Sequence, residues 1–226
     1  MDETARPTRQ GLTRPTVVSA ALKLLDEVGL DGLTTRRLAA ELGVQSPALY
    51  WHFRNKQELL DQMADAILLG GGMGGPRDGE SWQDWLTRRA RNYRGLLLAH
   101  RDGARLVANA RLGPAVLRLF DEELTAMLGR GFTPVLALRT ITALSHYATG
   151  FVLQEQAEGP GPASAEQADQ LAGLTGLLDG RVSATLVVAL REGGSPVGEA
   201  AFEHGLRALI EGTAAALARH RSSDPA

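Results

Sequence analysis

Apolar residues recur along this chain at intervals of three and four, the spacing that stacks side chains on one side of a helix. Val17, Ala21, Leu24, Leu25 and Val28 form the first stripe, behind Thr13 as N-cap and ahead of Gly29 as a stop. Leu38 and Leu42 form a short second stripe after Thr34, and Leu49 and Phe53 a third. Gly43 separates these two, at a point where a residue without Cβ turns most cheaply. Ser46 is suited to cap the third helix, with Pro47 at its first position, where a missing N–H costs nothing. Two short helices around a tight turn, about residues 34–53, make a helix-turn-helix. Asn55 and Glu58 approximate a capping box for the next helix, whose apolar face is Leu59, Leu60, Met63 and Ile67.

The run GGGMGGP, Gly70–Pro76, interrupts the pattern and reads as a connector. It lacks the Gly-Lys-Ser/Thr ending and the preceding strand of a phosphate-binding loop. Beyond it the spacing predicts helices over Trp82–His100 (capped by Ser81 with Asp84), Ala104–Arg111 and Pro114–Leu128. A long helix then follows Thr133 to about Ala157, with Val182–Leu190 and Glu199–His220 after it. EGPGPASAE, residues 158–166, breaks the pattern and reads as a loop. No strand-like alternation persists. The fold expected is all-α: an N-terminal three-helix domain with the helix-turn-helix, residues 10–70, and a larger helical domain, residues 71–226.

The two long late helices carry apolar residues on more than one side. Ile141, Leu144, Ala148, Phe151 and Val152 lie on one, and Phe202, Leu206, Leu209, Ile210, Ala214 and Leu217 on the other, with Gly205, Gly212, Thr213 and Ala216 between. Such helices are buried on two fronts. Two from each of two chains would make a four-helix dimer interface; the alternative is an ordinary monomer core.

The 226 residues are 44% hydrophobic and 22% charged, ordinary for a globular protein with a sizeable core. Without cysteine there is no disulfide, thiolate nucleophile or cysteine-held metal. MDETARPTRQG has no apolar core of a signal peptide, and no run reaches the roughly 18 apolar residues of a membrane span. A cytoplasmic protein with no membrane partner is expected. The net charge of −2 carries no nucleic-acid signature, but Arg6, Arg9, Arg14, Arg36, Arg37, Arg54 and Lys56 gather in the first quarter. Arg6 and Arg9 lie on a loose N-terminal arm, either reaching a phosphate backbone or simply solvated.

Enzyme chemistry finds little footing. His100-Arg101-Asp102 spells a kinase catalytic triplet, yet no nucleotide loop or Asp-Phe-Gly accompanies it. His146 and His204 stand singly, with no HExxH pair and no nucleophile elbow. A non-specific DNA-organising protein without an inducer is the rival binding class, and it would need a strongly basic surface.

LTTRRLAAELGVQSPALYWHFRNKQELLD resembles the DNA-binding domain of the tetracycline-repressor family. GESWQDWL, LLLAHRDGARL and GFTPVLAL…SHYATGFVLQEQ resemble the regulatory domain of its tetracycline-binding members. The resemblance implies a homodimer that holds a palindromic double-stranded DNA operator until a small molecule enters the larger domain. It assigns Arg36 to a guanine, for which the guanidinium fork is suited. Thr35, Tyr50, His52 and Lys56 resemble phosphate-contacting positions, which fix register without reading sequence. Ser46 and Ala48 open the recognition helix where those relatives have Gln and Thr, so a different operator is expected. Trp51 belongs with this set either as a contact or as core packing.

The ligand-binding set implied by the same resemblance is Arg89, Tyr93, Val107, Arg111, Glu123, Ile141, Ser145 and Gln154. Here the departures are sharper. Val107 stands where those relatives hold magnesium with a histidine, Gln154 where they have a glutamate, and Gly71 near another of their histidines. Arg89 replaces an asparagine and Tyr93 a phenylalanine, whereas Arg111 matches. Valine cannot ligate a hard cation. A site with no metal and no cofactor is expected, taking an aromatic or polycyclic inducer. If Arg89 faces the pocket, its charge suggests an anionic ligand; facing solvent is the alternative.

Overall fold

The computed structural model describes residues 12–71, 73–158, 189, 192–193 and 196–223. The N-terminal arm, the loop 159–166 and nearly all of the helix expected over residues 182–190 fall outside the described residues. Every regular element among the described residues is a helix.

The first helix, α1 (Arg14–Gly32), begins where Thr13 accepts the Thr16 N–H, and it buries Val17, Val18, Ala21, Leu24 and Leu25. Gly29 interrupts it with φ 72°, a left-handed backbone that a side chain resists. A Cβ there would also press on Asp102 Oδ2 at 2.9 Å. Thr34 caps α2 (Thr35–Glu41) by accepting from Arg37 N, and Gly43 turns the chain with φ 64°.

The recognition segment departs from expectation. α3 (Ser46–Leu49) is a single turn whose N-cap is Gln45, without a side-chain hydrogen bond. Ser46 is therefore the first helical residue rather than the cap. Turn hydrogen bonds, Tyr50 N to Pro47 O and His52 N to Leu49 O, carry the chain on to Phe53. Leu49 and Phe53 are buried, as their spacing predicts.

Asn55 caps α4 (Lys56–Leu69) by accepting from Glu58 N at 2.8 Å. The return bond differs from a true capping box: Glu58 Oε2 accepts from Arg54 N. Residues 73–79 then lead into α5 (Trp82–Leu98), where Ser81 accepts from Asp84 N and its hydroxyl donates to Asp84 Oδ2. Two hydrogen bonds tie the connector to α5. Trp85 Nε1 donates to Gly74 O at 2.8 Å, and Arg88 Nη2 to Gly75 O at 3.1 Å.

α6 (Gly103–Ala108), α7 (Pro114–Leu128), α8 (Pro134–Glu158) and α9 (Glu199–Ser223) complete the larger part. α8 runs through its middle, buries Ala137, Ile141, Leu144, Ala148 and Val152, and packs most extensively on α5. α9 lies against α5 and α8 through Phe202, Leu206 and Ile210. Tyr147, Phe151 and Phe202 form an aromatic cluster there, with Tyr147 stacked on Phe202 at 5.3 Å. No described helix is long and apolar enough to cross a membrane.

Two sets of polar contacts join α1–α4 to the rest. Asp26 accepts from Arg101 N, Arg105 makes a two-point pair with Asp31, and Leu30 N donates to Asp102 Oδ2 at 2.8 Å. Along α4, Gln57, Asp61 and Asp65 sit at i, i+4 and i+8, on one face. Their side chains bond Asn109 O, Arg111 N and Gly113 N respectively. The turn between α6 and α7 thus hangs on three successive rungs of α4.

Candidate DNA interface and ligand cavity

The helix-turn-helix turns one face outward. Arg36, Tyr50, Trp51 and Lys56 are exposed, and Thr35, Ser46, Ala48 and His52 are half-buried. Trp51 is the extreme case at 87% exposed, which overturns the core-packing alternative for it. An indole so placed is expensive to leave in water, and it stands beside Tyr50 at 53% exposed. Arg54 joins this surface, its Nε 3.6 Å from Glu58 Oε2. The four-residue α3 positions all of this: Leu49 and Phe53 anchor it inward, and what alternates with them must point out.

A cavity of about 390 Å³ opens in the larger part, within the range of small-molecule sites. One wall is apolar, made by Leu68 at the end of α4, Met73 of the connector, Val107, Val116, Leu119 and Phe120. Ala110 and Leu112, on the turn hung from α4, line it as well. The facing wall is a polar stripe of α8: Thr142, Ser145, His146 and Thr149. Tyr93 closes this side with its hydroxyl 3.0 Å from Thr149 Oγ1. Burial pushes that phenol above its ordinary value, so it remains a neutral hydroxyl at physiological pH.

Of the sequence-expected ligand residues, Tyr93, Val107 and Ser145 line the cavity. Ile141 is fully buried in the core, while Arg111 and Gln154 are exposed and away from the lining. Arg111 contributes its backbone N–H to Asp61 instead. Arg89 and Glu123 are both fully buried just behind the lining and paired to each other, Nε to Oε1 at 2.7 Å. The solvent-facing alternative for Arg89 is thereby excluded. The anionic-ligand expectation loses its basis, since Glu123 already balances the guanidinium. Removing one partner of such a pair typically costs about 3–5 kcal/mol.

Sequence reasoning missed Leu68, Met73, Phe120, Thr142, His146 and Thr149. The α8 stripe did leave a signal: 142, 145, 146 and 149 are polar at helical spacing between the apolar positions Ile141, Leu144 and Ala148.

Two family models match this chain. Residues 17–63 match the bacterial regulatory proteins of the tetR family, and residues 75–217 the tetracyclin repressor-like C-terminal domain. The tetracycline repressor protein class A from transposon 1721 of Escherichia coli is 42% identical over 200 residues, 88% of this chain and 89% of its own length. Apo ActR from Streptomyces coelicolor superposes with a TM-score of 0.79 at 31% identity, covering 92% of this chain and 98% of that one. TetR(class A) in complex with 5a,6-anhydrotetracycline and magnesium superposes with a TM-score of 0.66 at 39% identity, over 90% and 98% of the two chains.

Proposed function

Because this chain belongs to the tetracycline-repressor family of bacterial regulatory proteins, we propose that it is a repressor holding a palindromic operator as a homodimer until an inducer other than tetracycline–magnesium releases it. Family members are ligand-responsive, dimeric, DNA-binding regulators rather than enzymes. In this chain, residues 10–70 serve as the DNA-binding domain and residues 71–226 as the ligand-binding and dimerisation domain. The DNA contacts are Thr35, Arg36, Ser46, Ala48, Tyr50, Trp51, His52 and Lys56.

One observation carries the reading: α4 begins at Lys56, beside the recognition turn, and its last turn reaches the cavity through Leu68. At 1.5 Å per residue the helix spans about 20 Å. A ligand that displaces Leu68, or the turn bearing Ala110 and Leu112, pulls on the rungs at Gln57, Asp61 and Asp65. The movement reaches Lys56 and the recognition segment as a tilt. Paired recognition helices must lie about 34–36 Å apart to enter successive major grooves, so a tilt of this lever costs affinity. Full release requires the inducer to prefer the released form by about 5.5 kcal/mol.

The cavity lining argues against the magnesium complex seen in the class A relative. Magnesium prefers carboxylate and water oxygens in octahedral array. Val107 offers none, and the lining supplies only hydroxyls and the His146 imidazole. The apolar wall and hydroxyl stripe instead suit a flat aromatic or polycyclic molecule oxygenated along one edge.

Dimerisation through α8 and α9 is supported by small residues on their outer faces. Ala143 and Gly150 are exposed on α8, and Ala208, Gly212 and Ala215 on α9. Small residues let helices approach closely, as a four-helix interface requires.

Footprinting on DNA flanking the protein's own gene tests the proposal. Protection of one palindrome, by a species of twice the chain mass, is expected. Uniform coating of all DNA would favour the non-specific DNA-organising alternative.

A further inference from the structure

A second hollow opens on another face of α7. Val116, Leu119 and Phe120 line the cavity already described, whereas Pro114, Ala115 and Arg118 line a cleft of about 490 Å³ between α1, α4 and α7. No residue lines both. Much of the cleft wall is apolar, with Pro15 and Val18 from α1 and Ala66 and Leu69 from α4. Leu69 is 46% exposed, and burying that surface under an occupant is favourable.

The charge on this wall is uneven. Arg14 and Arg118 stand against a single acid, Asp65. Asp65 is buried and already engaged. Its Oδ1 accepts from Gly113 N at 2.9 Å, and a Cβ at 113 would collide with the same carboxylate. Arg14 is exposed and lies 3.3 Å from Glu58. Arg118 is exposed and has no ion-pair partner among the described residues. Two guanidiniums less one carboxylate leave the lining one positive charge, beside apolar surface. A guanidinium fork matches a carboxylate, whereas a doubly charged phosphate would exceed that surplus and meet Asp65 with like charge.

From this juxtaposition we propose that the cleft between α1, α4 and α7 is a second small-molecule site, separate from the inducer cavity, for an amphipathic monocarboxylate. Arg118 and Arg14 hold its carboxylate, and its aliphatic body covers Val18, Ala66 and Leu69. The occupant touches all three helices at once.

Isothermal titration of the full-length protein with octanoate, 1-octanol and octylammonium at low salt tests this. Octanoate is expected to bind one per chain, about threefold to tenfold more tightly than octanol, with octylammonium weakest. Arg118→Glu should bring octanoate down to the affinity of octanol, and Arg118→Lys should keep a preference for octanoate. Nuclear Overhauser contacts from the octanoate chain locate it without any variant: they should reach the Leu69 methyls and not those of Val107. Equal affinities for the three, no octanoate binding, contacts to Val107 instead of Leu69, or an octanoate affinity unchanged by Arg118→Glu each overturns the proposal. None of these measurements involves DNA, so the result is independent of whether a palindrome is protected.

Discussion

Asp102 offers the sharpest test of how the two parts of the chain are held together. It turns the corner between α5 and α6 with φ 56°, a left-handed conformation that aspartate and asparagine tolerate better than alanine. Its Oδ2 accepts the Leu30 N–H at 2.8 Å, fastening the end of α1. Asp102→Ala removes both advantages. A hydrogen bond to a charged group contributes about 1.5–3 kcal/mol, and the part-buried site argues for the lower half. The left-handed backbone costs alanine roughly 1 kcal/mol more. Their sum predicts a loss of about 2.5–3.5 kcal/mol. Asp102→Asn keeps an acceptor and the backbone tolerance, so it should lose about 1 kcal/mol or less. Asp102→Gly frees the backbone without restoring the acceptor, so it should fall between. Urea unfolding followed by circular dichroism measures all three, at one protein concentration because dimer stability depends on it. Alanine and asparagine variants within about 0.5 kcal/mol of each other would refute the reasoning.

Three further outcomes follow from the same geometry. Arg36→Ala should cost about 1–3 kcal/mol of operator affinity and relax preference at one base pair, whereas Lys56→Ala should weaken all sequences alike and reduce the salt slope by about one; fluorescence anisotropy across a salt series separates them. Trp51→Ala should leave thermal stability within about 0.5 kcal/mol, because the residue is 87% exposed, yet weaken DNA binding; a marked loss of stability would place the indole in the core after all. Glu80 is held down from 4.5 to about 2, first by the Arg88 hydrogen bond and then by the Arg77 N–H. Because the folded value lies below the unfolded one, its contribution is complete above the ordinary carboxylate range and fades as pH falls through about 2. A carboxylate NMR midpoint near 4.5 would contradict this.

Local chemistry made much of the fold legible. Thr13, Thr34, Asn55, Ser81 and Thr133 all cap helices as their positions suggest, because an N-cap needs only the next three residues. Ser46 failed as a cap because the helix starts one residue earlier, behind Gln45. The cavity was harder to read, since its walls come from α4 through α8 and meet only after folding. Resemblance indicated Ile141, Arg111 and Gln154, which the packing leaves outside it. Arg89 and Glu123 carried a readable clue. Arg89 shares the inner face of α5 with Trp85, Leu86 and Tyr93, and Glu123 that of α7 with Val116 and Met127. Opposite charges on the buried faces of two helices call for each other. That only one of their two possible bonds forms depends on side-chain angles no pattern encodes.

The double attachment of α4 has an evolutionary corollary. Each residue added to a helix rotates everything beyond it by about 100°, so a one-residue insertion after Asp65 would swing Leu68 away from the cavity while the DNA-gripping end stayed intact. On the proposed reading, such a protein would still bind its operator but go deaf to its ligand. Length changes in this lineage should therefore accumulate in the glycine-rich connector, where an extra residue shifts no phase, and be purged from the fourteen residues before it.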